Sequence, residues 1–132
     1  MGEERAPRAT LAFFKLVVRD LPAMIDFYRS AFGFEVDRKI EGPDFEEAIM
    51  SQPGSKSRFA IVLYHWTDGR EVTVGNGHGP VGLMTRDVSG FFDKAIGHGA
   101  SEVRAPFDFG GAKIAFLNDP EGHEIELIQN AA

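Results

Sequence analysis

The chain contains no cysteine, which excludes disulfides, thiolate nucleophiles and cysteine-ligated zinc or iron–sulfur centres, and fits a cytoplasmic setting. It also lacks a positive charge balance: 14 Lys and Arg against 20 Asp and Glu leave a net charge of −6. A nucleic-acid partner, which requires a positive surface to displace counterions, is therefore not expected. No apolar run approaches the ~20 residues of a membrane span, so no membrane partner is expected either. The opening Met1-Gly2-Glu3-Glu4-Arg5 has no signal-peptide core, and Ala6 stands where myristoylation calls for Ser or Thr. A phosphate loop is also missing: the glycine-dense Gly75-Asn76-Gly77-His78-Gly79 runs into Pro80 and a strand pattern instead of a helix. There is no G-x-S-x-G elbow and no ordered Ser/His/Asp set.

What the chain does have is an internal repeat. Leu16-Val17-Val18-Arg19-Asp20-Leu21 precedes Ile25, Phe27, Tyr28 and Phe32 at helical spacing and closes at Gly33. Leu83-Met84-Thr85-Arg86-Asp87-Val88 precedes Phe91, Phe92, Ala95 and Ile96, closing at Gly97 or Gly99. One supersecondary unit used twice leaves a groove shared by the two copies. Asp20 is an N-cap candidate, with Pro22 in the first turn where its missing N–H costs little. Strands are predicted at 11–18, 34–40, 46–50, 58–66, 81–85, 101–104, 112–117 and 123–129, and helices at about 21–32 and 88–98. A further short strand is predicted at 71–74, joined to its predecessor through Asp68-Gly69. The fold class is α+β: a single domain of two βαβββ modules, about 10–74 and 80–130 with a linker at 75–79. Side by side they make a curved eight-stranded sheet with the helices on its convex side.

Strand alternation separates the faces. Phe14, Leu16 and Val18 share one face of the first strand, and Ile125 and Leu127 one face of the last; these apolar sets cover the helices. Phe13, Lys15, Glu124 and Glu126 then turn toward the groove, where Lys15 and Glu126 are expected to neutralise each other. Val62, Tyr64, Trp66 and Met84 have matching parity, and Phe107 and Phe109 lie near the mouth on a turn-like segment. An apolar, aromatic wall with few polar groups is the usual character of a small-molecule site.

Val18-Arg19-Asp20-Leu21 with Ile25-Asp26-Phe27-Tyr28-Arg29 and Phe32-Gly33-Phe34, and the ending Ile114 to Ile128 through Asn118-Asp119-Pro120-Glu121-Gly122-His123, resemble the vicinal oxygen chelate superfamily. This is the fold of glyoxalase I, bleomycin-resistance proteins and extradiol dioxygenases, and the layout is most similar to the short bacterial glyoxalase I branch. The resemblance implies four metal-ligand positions, which fall here on Phe13, Val62, Pro80 and Glu126. Only Glu126 carries a donor, and one carboxylate does not hold a divalent ion. The position that helps hold glutathione's carboxylate, usually Arg, is Val17.

The expectation is therefore a metal-free, cofactor-free protein, similar to the bleomycin-resistance type. It would bind a small aromatic or hydrophobic molecule through Phe13, Lys15, Val62, Tyr64, Trp66, Phe107 and Glu126. A homodimer is implied by the resemblance. The alternative is a metal-dependent glyoxalase-like lyase or isomerase, or a dioxygenase-like enzyme, with a displaced divalent metal at Glu126 and His78. A third reading is a degenerate copy retained as a partner subunit.

Overall fold

The computed structural model describes residues 6–54 and 59–131. The element order is β1 (Phe13–Val17), α1 (Leu21–Phe32), β2 (Glu35–Glu41), β3 (Phe45–Ser51), β4 (Ala60–Trp66), β5 (Val81–Met84), α2 (Val88–Gly97), β6 (Ser101–Phe109), β7 (Ala112–Asn118) and β8 (Glu124–Gln129). These are the two βαβββ units expected from the repeat. Hydrogen bonding divides their eight strands into two sheets of four, ordered β1-β4-β3-β2 and β5-β8-β7-β6. In each sheet the first strand pairs parallel with the last, and the other neighbours are antiparallel. Each first strand therefore keeps one free edge, and no ladder joins β1 to β5.

The helices start where the Arg-Asp pairs stop the strands. Asp20 accepts from Ala23 N at 3.0 Å and Asp87 from Gly90 N at 2.9 Å, each satisfying one orphan donor of a first helical turn. α1 ends at Gly33, whose φ of 74° places it in the left-handed region that favours glycine. Leu21, Met24, Ile25, Tyr28, Ala31 and Phe32 recur at helical spacing and are all buried. α1 packs on the first sheet and α2 on the second, and the two helices are where regular elements of the halves meet. The rings of Phe32 and Phe91 stack across that seam at 6.3 Å. A single core results, with Leu16, Val18, Ile61 and Leu63 from one half and Ala115, Leu117, Ile125 and Leu127 from the other. Each Leu, Ile or Val among them contributes about 1.5–3 kcal/mol through its removal from water.

Three local expectations change. Residues 71–74 form no strand; they run across the molecule, and Val72 O accepts from Arg19 Nη2 at 2.7 Å. β6 extends to Phe109, so Phe107 and Phe109 sit on a strand and not on a turn. Pro106 is tolerated there because β6 is an edge strand, and its ladder to β7 is irregular on both sides of Arg104. The predicted strand start at Arg58 lies outside the described residues, and β4 begins at Ala60. Among the described residues, no helix is long and apolar enough to cross a membrane.

Candidate functional site

The face of the first sheet that points away from α1 carries five of the seven predicted residues. Lys15 stands opposite Val62 and Val17 opposite Tyr64 in the β1–β4 ladder, and β3 adds Ile49, Glu47 and Phe45 opposite Val62, Tyr64 and Trp66. Phe45 stacks on Tyr64 with ring centres 5.0 Å apart, and Trp66 meets the edge of Tyr64 at 4.8 Å. Phe13 is 50% exposed, a ring held open to solvent. Lys15 Nζ lies 4.7 Å from the Tyr64 ring centre and 5.8 Å from that of Phe13. Its counter-ion is Glu47, with Oε1 at 3.0 Å, and not Glu126 as the sequence suggests. Glu47 is 8% exposed, and a carboxylate that deep requires a cation beside it. At the rim, Arg70 covers the Trp66 ring at 3.6 Å while pairing with Asp68 and Asp44. Hydrogen bonding from the Arg70 side chain holds the exposed Asp68 carboxyl at about 2.

Phe107 and Glu126 lie on the corresponding face of the second sheet. Phe107 is opposite Ile114, and its ring stacks on Phe116 at 6.3 Å. Arg104, unforeseen from the sequence, places its guanidinium 3.5 Å from the Phe107 ring centre. Glu126 has Phe116 on one side and Gly82 on the other. Neither neighbour supplies a metal donor. Phe13, Val62 and Pro80 supply none either, so the side chains at the four positions implied by the resemblance do not fit a divalent ion. Of the displaced pair, His78 packs edge-on against Phe14, 5.4 Å between ring centres, on the helix-facing side of β1. Among the described residues, no three His, Cys, Asp or Glu side chains are grouped to hold a metal. The predicted site is thus brought together as a group of five and a group of two, on sheets that share no ladder.

The halves are latched at one junction. In the turn between β7 and β8, Asp119 is 2% exposed and accepts from Tyr28 Oη at 2.7 Å. It also accepts from the backbone N–H groups of Glu121 and His123, and its Oδ2 lies 2.9 Å from His123 Nδ1. The other ring nitrogen of His123 reaches Val17 O at 3.0 Å, so the two nitrogens face two acceptors. That arrangement suits an imidazolium. Burial pushes His123 down, but the Asp119 hydrogen bond and charge, the Val17 carbonyl and Glu121 outweigh it and raise its pKa. Burial and the Asp119 carboxylate raise the Tyr28 phenol well above its ordinary value. Glu121 completes the latch, accepting from Arg19 N at 2.6 Å and Asp20 N at 2.8 Å.

Two cavities border the free strand edges. The larger, about 710 Å3, lies between Phe14, Phe32, Phe34, Ile61 and Phe91 and the edge of β5. None of the seven predicted residues lines it; it belongs to the helix side of the first sheet. A second, of about 580 Å3, follows the free edge of β1 and is lined by Lys15, Val17, His123 and Glu124, with 72–76 along it.

Comparison with known proteins agrees with this architecture. The chain is 33% identical over 116 residues to a putative lactoylglutathione lyase of Brassica oleracea, covering 85% of this chain and 41% of that protein. It spans about two-fifths of the length of such plant relatives. A probable lactoylglutathione lyase of Synechocystis is 32% identical, with 87% of this chain and 91% of the relative covered. Glyoxalase I from Zea mays superposes with a TM-score of 0.81 at 27% identity, over 92% of this chain and 45% of that one. A glyoxalase family protein from Bacillus cereus, 18% identical, shares the fold with a TM-score of 0.80 over 100% and 99% of the two chains. Residues 10–127 match the family, and the chain belongs to the Glyoxalase/Bleomycin resistance protein/Dioxygenase superfamily.

Proposed function

We propose that this protein binds a small aromatic or hydrophobic molecule on the open face of the first sheet, without a metal at the position its relatives' fold implies. The observation that carries the reading is the donor set: Phe13, Val62 and Pro80 offer no lone pair, and Glu126 stands between Phe116 and Gly82. Phe13, Tyr64 and Trp66 supply rigid stacking surface, and Lys15 the polar contact that orients a ligand. Phe107 and Glu126 close the site from the second sheet of a homodimer partner, because within one chain the two groups stand on separate sheets.

The metal-dependent reading takes its support from the relatives named as lactoylglutathione lyases, at up to 33% identity. Elemental analysis of protein purified without a chelating tag, run beside a thermal-shift screen of aromatic compounds, separates the two. The binding reading expects sub-stoichiometric metal, no lactoylglutathione lyase activity on addition of nickel, zinc, iron or manganese, and a raised Tm with some aromatic compounds. Near-stoichiometric metal that is lost in Glu126→Gln would overturn the metal-free reading in favour of the metal-dependent one.

A further inference from the structure

We propose that Lys15 and Glu47 form an anion-recognition centre, and that the ligand on this face is an aromatic carboxylate. The inference rests on the small-molecule reading above and names the chemical class that the site selects.

On the face where a cation would be gripped in a metal-binding relative, this chain fixes an ammonium. Lys15 projects between Phe13 and Tyr64, whose ring faces attract it and limit where its head can go. Glu47 holds it from below at 3.0 Å. The contact is a charge pairing to one carboxylate oxygen, Oε1. That single contact occupies at most one of the three N–H donors of the ammonium and leaves two for a ligand. The Lys15 side chain is 42% exposed and borders the cavity along the free edge of β1, which gives a ligand oxygen a way in.

The cation at the rim beside Trp66 differs. Arg70 donates to both oxygens of Asp68 and lies beside Asp44, and its guanidinium plane rests on Trp66. Its charge is already opposed by two carboxylates. An incoming carboxylate thus meets uncommitted donors at Lys15, next to the half-exposed ring of Phe13 on which an aromatic body can stack. Glu47 sets both the position and the limit: a buried negative charge close by fixes the ammonium but opposes a second anion. A moderate preference follows.

The test compares 2-naphthoate with its neutral isostere 2-naphthamide, by calorimetry and by the emission of the chain's single tryptophan, Trp66. Naphthoate is expected to bind about tenfold more tightly at low ionic strength, a margin that shrinks with added salt. In Lys15→Met the preference for naphthoate over naphthamide disappears, whereas Lys15→Arg retains it. The wild-type comparison stands on its own should a variant fail to fold. Equal affinity for both compounds would overturn the anion centre and leave the apolar groove intact. Binding of neither would overturn the groove as well. A preference that survives Lys15→Met would place the anion elsewhere and remove Lys15 and Glu47 from the assignment.

Discussion

The two halves repeat one plan, yet their junctions are built differently. Ladder registers align them: Leu117 pairs with Ile125 as Met50 pairs with Ile61, and Val81 pairs with Ile125 as Phe14 pairs with Ile61. By that alignment Asp119 corresponds to Gln52, Pro120 to Pro53 and His123 to Phe59, while Tyr28 corresponds to Ala95. At the β7–β8 turn these positions carry a buried acid, an imidazole and a phenol that tie the second half to β1 and α1. At the β3–β4 turn Gln52 Nε2 donates to Phe32 O at 2.9 Å, a bond that stays within its own half. Beside it lies the larger cavity. The buried acid, imidazole and phenol that tie the halves at one junction thus have an amide, a phenyl and a methyl group as counterparts in the other copy.

The strongest way to break the contrast is Asp119→Ala. It strands the Tyr28 hydroxyl and the His123 ring in the interior and releases two backbone N–H groups, at an expected cost of about 3–4 kcal/mol in urea unfolding. Tyr28→Phe removes one partner and leaves the others in place, so about 1–1.5 kcal/mol is expected. Gln52→Ala, the counterpart substitution at the β3–β4 turn, should cost about 1 kcal/mol or less. Equal losses from Asp119→Ala and Gln52→Ala would abolish the distinction between the junctions.

Proton linkage sharpens the same comparison. His123 has a raised pKa in the folded chain, so the imidazolium is bound more tightly there than in the unfolded chain. Its stabilisation is complete below the unfolded value of about 6.5 and is lost as pH rises through the folded value. Asp119, Glu121, Arg19 and Tyr28 surround the ring, and Tyr28, itself raised, responds only in alkali. The unfolding free energy of the wild type, measured relative to His123→Asn, should fall as pH rises from about 6.5 through the raised folded-state value. A constant difference would show that folding leaves the His123 pKa unshifted, and a growing one that the ring is held neutral.

Much of the fold was legible because its signals are local. The Arg-Asp caps, Gly33 and strand alternation depend on neighbours in sequence, and they placed both modules and the faces of β1 and β8. The length of β6 was not legible: Pro106 and Gly110-Gly111 suggest a loop, and only the edge position of the strand makes the proline harmless. The site was half legible. Parity put Lys15, Tyr64 and Trp66 on one face, but Glu46-Glu47 looks like a solvated pair, although Phe45, Glu47 and Ile49 alternate in step with Trp66, Tyr64 and Val62. The latch was missed because its partners lie 91 positions apart and each has an ordinary local role, Tyr28 in a helix core and Asp119 in a turn. Nothing short of the tertiary arrangement brings them together.

The smallest expected effects concern how the two helices end. Gly33 adopts φ 74° and donates its N–H to Arg29 O, with Phe34 N reaching Tyr28 O, so the last carbonyls of α1 are satisfied by a left-handed residue. α2 instead runs through Gly97 and is capped by His98 at φ −102°, with Gly99 following at φ 111°. Gly33→Ala places a Cβ on a left-handed backbone and should cost about 1 kcal/mol, although nothing lies within 4 Å of the new atom. Gly97→Ala, also with open space around it, replaces a flexible residue inside a helical turn and should stabilise by about 0.5 kcal/mol. Opposite signs in thermal unfolding are the expected outcome. Destabilisation by both, to the same extent, would mean that the second copy ends its helix as the first does, and that the halves differ only at their turns.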